Sequence, residues 1–441
     1  MGRAAFTDSV GTNRMRSQSY PRYAPIAPAP DRARPAAVRS IPSPVYWLVA
    51  LAIGSSFYVA VEPAPTDALF GVLLIVMLMV RGIRFPIDLN PILTAGLFAF
   101  LVGSAVSLLE SREFGAAVLY LAITFYLVVS WYLVVTLLAN YGWQMWDLIL
   151  RAFLVAAVIT AVIGLISHFS TAPQDYLGLS PNYGEERTRG TFKDPNVYAP
   201  FLTVALLLVV NQVVTGRWRL LAALPLLALF SLEILAAFSR GGYVNLAVCL
   251  LVFFALLIIL GRKTQLRRFM GLAGLALIVI VPVLVYFLQS TGLDEFLTRR
   301  LRFQQYDTER FAIQELALFT LGDSPFGIGP GQTTVVFPLA THNLYLRVSI
   351  ENGLIALLGF FLFLAATLWV SLLGALRRGP FQDLQLSCLA ILVGILVNSL
   401  VIDSLHWRHF FLFLAVPVGL AHYERWRLRP STAAPAAATR S

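Results

Sequence analysis

The chain has 441 residues, 58% of them apolar and only 13% charged, with a net charge of +10 and two cysteines. A soluble domain carries about a quarter charged residues, so this composition excludes one and calls for an all-α polytopic integral membrane protein. The positive balance is not read as nucleic-acid binding, because the arginines cluster beside apolar runs, where they set membrane orientation; Cys249 and Cys388 both lie inside such runs and define no disulfide framework or metal spacing.

Residues 1–44 carry seven arginines against Asp8 and Asp31, are rich in Pro, Ala and Ser, and contain no apolar core of a signal peptide. They read as a disordered basic cytoplasmic tail. A helix needs about 20 apolar residues to cross ~30 Å of hydrocarbon. Runs of that order fall at 45–62, 67–80, 91–109, 115–138, 147–168, 195–215, 218–238, 241–260, 269–289, 343–376, 384–402 and 409–423, giving about 12 transmembrane helices. The run 343–376 exceeds what one crossing needs, so it is tilted, broken or partly outside the membrane.

With the N-terminus inside, the even-numbered connections should be cytoplasmic and basic. Arg81 and Arg84, Arg217 and Arg219, the cluster Arg262 to Arg268, Arg377 and Arg378, and the C-terminal Arg425, Arg427 and Arg429 fit that rule. The connection at 139–146 lacks a basic residue of its own. Residues 426–441 form a second cytoplasmic tail, bounding a membrane domain at 45–425. Two outer connections are long, 169–194 and 290–342, the latter a periplasmic loop between helices 9 and 10, and function concentrates there.

The first of these loops ends in EERTRGTFKDPNVY, placing Arg187, Arg189 and Lys193 before a helix that starts near Pro195. Guanidinium forks and helix N-termini both suit phosphate oxygens; the competing reading pairs these cations with Glu185, Glu186 and Asp194 in a solvated loop. Arg240 in FSRGGY lies on a short outer turn, and the acid Glu233, seven residues earlier on the same helix face and within the membrane span, offers either a structural tie to it or a functional partner. Further on, ERFAIQELALFTLGDSPFGIGPGQ sets Arg310 on an amphipathic helix before a Gly/Pro-rich loop, and Arg299, Arg300 and Arg302 present a basic surface to lipid headgroups or substrate. In THNLYLRVSIENGL, Arg347 and Glu351 stand i, i+4 as a structural ion pair, while His342 and Asn343 sit at the loop–span junction, where an imidazole moves protons or merely satisfies hydrogen bonds. No Cys/His or carboxylate cluster has metal-ligand spacing, and no phosphate-loop or dinucleotide fingerprint occurs.

RTRGTFKDPN, SRGG, GDSPFGIGPGQ, and HN followed after nine residues by Gly353 occur in this order through the apolar spans. Together they resemble the superfamily of O-antigen ligases and O-antigen or exopolysaccharide polymerases, most specifically over 187–196, 239–242 and 310–356. The ligase signature has Gly, Thr or Tyr three places after that glycine; here the place is Ala356, and ligase and polymerase both stay open. The resemblance implies an inner-membrane glycosyltransferase, inverting and metal-independent with no cofactor, active at the periplasmic face. It would move a glycan from undecaprenyl pyrophosphate to an acceptor hydroxyl, with membrane lipids and polysaccharide-export machinery as partners and no nucleic acid. On matching positions, Arg187 or Arg189, Arg240 and Arg310 would hold the pyrophosphate, and His342 and Arg240 would serve catalysis. Asn196, Asn343 and Glu233 would support them. Twelve spans alone also suit a lipid-linked saccharide transporter or flippase, although such proteins place their polar groups at the bilayer midplane.

Overall fold

The computed structural model describes residues 40–59, 63–169, 182–183, 187–282 and 305–427, with isolated positions between 285 and 302. The tails at 1–39 and 428–441, most of the loop 169–194, and Glu185, Glu186, Arg299 and Arg300 therefore lie outside the described residues. Thirteen helices of two or more turns stand among them: α1 Ser43–Gly54, α2 Pro65–Met79, α3 Pro91–Ser107, α4 Phe114–Tyr141, α5 Trp143–Phe169, α6 Pro195–Val214, α7 Leu220–Ala236, α8 Arg240–Ile259, α9 Lys263–Leu275, α10 Gln305–Asp323, α11 Leu344–Leu376, α12 Gln382–Asn398 and α13 Arg408–Arg427. A two-stranded hairpin, β1 Asn182–Tyr183 with β2 Arg187–Thr188, pairs Tyr183 with Arg187.

Among the described residues six helices are long and apolar enough to cross a membrane, namely α3 with its trailing turn, α4, α5, α6, α8 and α11. The shorter α1, α2, α7 and α12 are also apolar and coincide with other expected runs. Local chemistry sets the helix starts. Asn90 and Asp194 accept from the amides of Ile92 at 2.9 Å and Asn196 at 2.7 Å, and each is followed by a proline already fixed at a helical φ. Helix α6 is apolar and buried on nearly every side, which places it at the centre of the bundle.

Helix α11 answers the question of the overlong run. Its 33 residues would measure ~50 Å at 1.5 Å per residue, but Gly353 (φ 80°, ψ 175°) breaks the helix. The backbone groups freed there are taken by the Gly/Pro-rich loop: Ile328 N donates to Ile350 O at 2.8 Å, Gly329 N to Glu351 O at 3.1 Å, and Leu354 N to Pro325 O at 2.9 Å. Below the break, α11 crosses α3 backbone to backbone. A Cβ on Gly96 would lie 2.6 Å from Phe363 N, and one on Gly103 would lie 2.9 Å from the Cβ of Ala356. The side chain at 356 is thus a helix-packing position.

The weak connection at 139–146 is hardly a connection at all. Gly142 (φ 51°) turns the chain alone between α4 and α5, and Arg217 from the α6–α7 connection lies over the Trp143 ring at 4.9 Å, supplying a cation there.

Candidate functional site

The motif residues gather at the end of the bundle that carries the N-termini of α6, α8 and α11. Arg187 is only 8% exposed and points inward: its Nε donates to Ala237 O at 3.1 Å and its Nη2 to Asn196 Oδ1 at 3.2 Å. The same Asn196 oxygen accepts from the Ser239 hydroxyl at 2.8 Å, and Ser239 in turn caps α8 by accepting from Gly242 N at 3.1 Å. Gly242 is required here, since a Cβ would meet the Cβ of Ala199 on α6 at 2.5 Å. The motifs RTRGTFKDPN and SRGG therefore form one structure, in which two helix N-termini and a buried guanidinium converge. Arg189 is half-exposed and donates to Lys193 O at 2.9 Å, closing its own loop instead of facing Ser239.

Arg240, the first residue of α8, makes a two-pronged ion pair with Asp307 on α10, Nη2 to Oδ1 at 2.6 Å and Nη1 to Oδ2 at 2.9 Å. The tie to Glu233 expected as one option does not form. Glu233 is buried and accepts from the Tyr198 hydroxyl at 2.8 Å. The reason is local: α7 ends at Ala236 and Phe238 takes φ 44°, so the chain turns before Arg240 and the seven-residue spacing no longer marks one helix face.

Helix α10 is the helix expected around Arg310, and it brings that arginine to the site; the expected amphipathic division does not hold, since Phe311, Leu318 and Phe319 are exposed. Asp307, Arg310 and Gln314 lie on one face. Asp307 meets Arg240, Arg310 donates through Nη2 to Val401 O, and Gln314 Nε2 donates to Thr341 O at 2.9 Å, next to His342. Ile313 and Ala317 anchor the helix against Phe337, Leu346 and Ile350.

His342 is half-buried and holds φ 48°, a left-handed conformation uncommon for a residue with a side chain. It immediately precedes Asn343, whose side chain caps α11 by accepting from Leu346 N at 3.0 Å. Phe238 stands in the same relation to Ser239, so α8 and α11 are each entered through a strained aromatic residue. Burial lowers the His342 pKa below the ordinary imidazole value, and Arg310 and Arg347 push the same way; Asp194 and Asp403 oppose them. The charges that act on His342 thus come from the α6 cap, α10, α11 and the turn after α12.

Arg347 and Glu351 form the expected i, i+4 pair at 3.1 Å, within a wider network. Arg347 also pairs with Asp403 and lies over the Tyr120 ring at 4.9 Å; Glu351, fully buried, accepts from Thr333 N at 3.1 Å. Asp307 and Asp403 are site neighbours that the sequence alone does not single out. The three-residue spacing from Asp307 to Arg310, which puts both on one helix face, is an available signal; Asp403, in a short turn, offers none. Among the described residues no group of three or more His, Cys, Asp or Glu side chains converges as a metal ion would require.

No curated protein matches the chain. The family model described as O-antigen ligase matches residues 225–361, the segment holding Glu233, Arg240, Arg310, His342, Asn343 and Gly353, while Arg187, Arg189 and Asn196 lie before it. Over this segment the chain is similar to that family, which supports an O-antigen ligase-like function in polysaccharide biosynthesis and a glycosyltransferase-like enzyme, and the long apolar helices support a membrane protein.

Proposed function

We propose that the protein is an inner-membrane glycosyltransferase that moves a glycan from undecaprenyl pyrophosphate to an acceptor hydroxyl during cell-surface polysaccharide assembly. The observation that carries this reading is the convergence of Arg187, Arg240, Arg310 and His342, drawn from separate segments, at one end of the bundle. The connections at the opposite end carry the basic residues Arg81, Arg84, Arg217, Arg219, Arg377 and Arg378. This asymmetry supports twelve crossings, both termini in the cytoplasm, and the loops 169–194 and 290–342 in the periplasm.

In this reading the acceptor oxygen attacks the anomeric carbon from the side opposite the diphosphate. The new C–O bond forms as the sugar–phosphate bond breaks, which inverts the anomeric configuration and releases undecaprenyl diphosphate with an added negative charge. Guanidinium groups held by Asn196, Ala237 and Asp307 stabilise that charge more in the transition state than in the ground state. His342, kept neutral by burial and by Arg310, accepts the hydroxyl proton or orients the hydroxyl.

The test is the purified protein with a defined polyprenyl-diphosphate-linked glycan and acceptor. Formation of a glycosidic bond of inverted configuration with release of polyprenyl diphosphate is expected; transbilayer movement of the lipid-linked glycan with no new bond would replace the enzyme by a flippase. In a deletion strain, short glycans on a capped core identify a polymerase and an uncapped core a ligase.

A further inference from the structure

The geometry points to Asp307 as a built-in occupant of the anion site: we propose that its carboxylate sits in the fork of Arg240 until the donor's diphosphate takes its place. The inference rests on the reading of Arg240 as a diphosphate-binding residue.

The two oxygens of Asp307 lie 2.6 and 2.9 Å from the two terminal nitrogens of Arg240. This is the parallel two-bond arrangement that a guanidinium offers equally to a carboxylate or to two oxygens of a phosphate. The arginine side chain keeps 28% of its surface exposed against 9% for the carboxylate, so an arriving anion meets the guanidinium first. A diphosphate brings more charge than a single carboxylate, and exchange therefore favours the ligand when both compete for one fork. Asp307 lies in the first turn of α10, where a carboxylate is also held by the helix N-terminus and so has a second place to rest once displaced.

The rest of α10 is fastened independently, by Ile313 and Ala317 packed against Phe337, Leu346 and Ile350, and by Gln314 on Thr341 O. Exchange at Asp307 loosens the first turn and leaves the helix seated. Arg310 is the next residue along the same face, held by Val401 O, and its charge acts on His342, so a shift of the first turn is passed to a residue that His342 feels. Donor binding and the arrangement of the acceptor side are coupled through one turn of helix.

The experiment measures binding of farnesyl diphosphate to the full-length protein in detergent, for wild type, Asp307→Asn and Arg240→Gln. Asp307→Asn keeps the shape and removes the competing charge, and is expected to bind on the order of tenfold more tightly. Equal or weaker binding by Asp307→Asn, with Arg240→Gln unable to bind, overturns the exchange and makes Asp307 a fixed positioning residue. Wild-type affinity in Arg240→Gln instead overturns the anion-site reading itself. Hydrogen exchange on the wild-type protein needs no variant: farnesyl diphosphate is expected to speed exchange of amides 307–311 and leave 313–317 unchanged, and slower exchange at 307–311 refutes the proposal.

Discussion

Asn196 accepts the Arg187 guanidinium at 3.2 Å, and through the same oxygen the Ser239 hydroxyl at 2.8 Å, so one amide joins a loop before α6 to the turn before α8. A buried cation and a helix cap share this single acceptor. Replacing Asn196 by Ala leaves both donors short of a partner while sparing the Asp194 cap. The expected cost is roughly 1–3 kcal/mol, the usual penalty for an orphaned buried donor, read as a lower midpoint of thermal unfolding in detergent. Diphosphate affinity is expected to fall with it, because Arg187 loses its fixed orientation.

Gly353 holds φ 80° and ψ 175°, and a Cβ there would reach Phe326 Cα at 2.8 Å. Gly353→Ala is expected to cost roughly 2–4 kcal/mol, since a side chain in this region of φ/ψ is strained and the docked loop must also move. Gly271→Ala is the control: that glycine is helical with open space around it, and the change is expected to be neutral or slightly stabilising. Equal unfolding midpoints for the two variants would remove the docking role of Gly353.

His342 stays neutral to lower pH than an ordinary histidine, whose pKa is 6.5. In the unfolded chain the ring protonates first, so this group's contribution to stability is full above the ordinary value and is lost as the pH falls through 6.5 toward the lowered one. Transfer activity that needs the neutral ring is expected to persist below pH 6.5 and then fall. Arg310→Gln removes one of the lowering charges, and the pH dependence of diethyl pyrocarbonate labelling at His342, followed by mass spectrometry, is expected to move upward. A downward movement would contradict the placement of Arg310 beside the ring.

Gly359 faces α3 so closely that a Cβ would lie 2.7 Å from Gly96 O, whereas its neighbour Leu358 is 68% exposed. Gly359→Leu is expected to separate the helices and cost about 1–3 kcal/mol or more, the range for overpacking. Leu358→Ala should change the unfolding midpoint little. A comparable loss in both would show that the α3–α11 contact does not limit stability.

The helices were legible in the sequence because apolar runs, prolines and capping side chains act over a few residues. The starts at Pro91 and Pro195, the helix around Arg310 and the Arg347–Glu351 pair all follow from local spacing. What only the tertiary structure decided was who meets whom. Glu233, seven residues from Arg240, goes to Tyr198, while Asp307, 67 residues away, takes the arginine. Of two neighbouring arginines, 187 turns inward and 189 closes its loop. Charge pairing depends on distance and burial in three dimensions, and a single left-handed residue such as Phe238 is enough to redirect the chain and cancel a spacing rule that holds only within one helix.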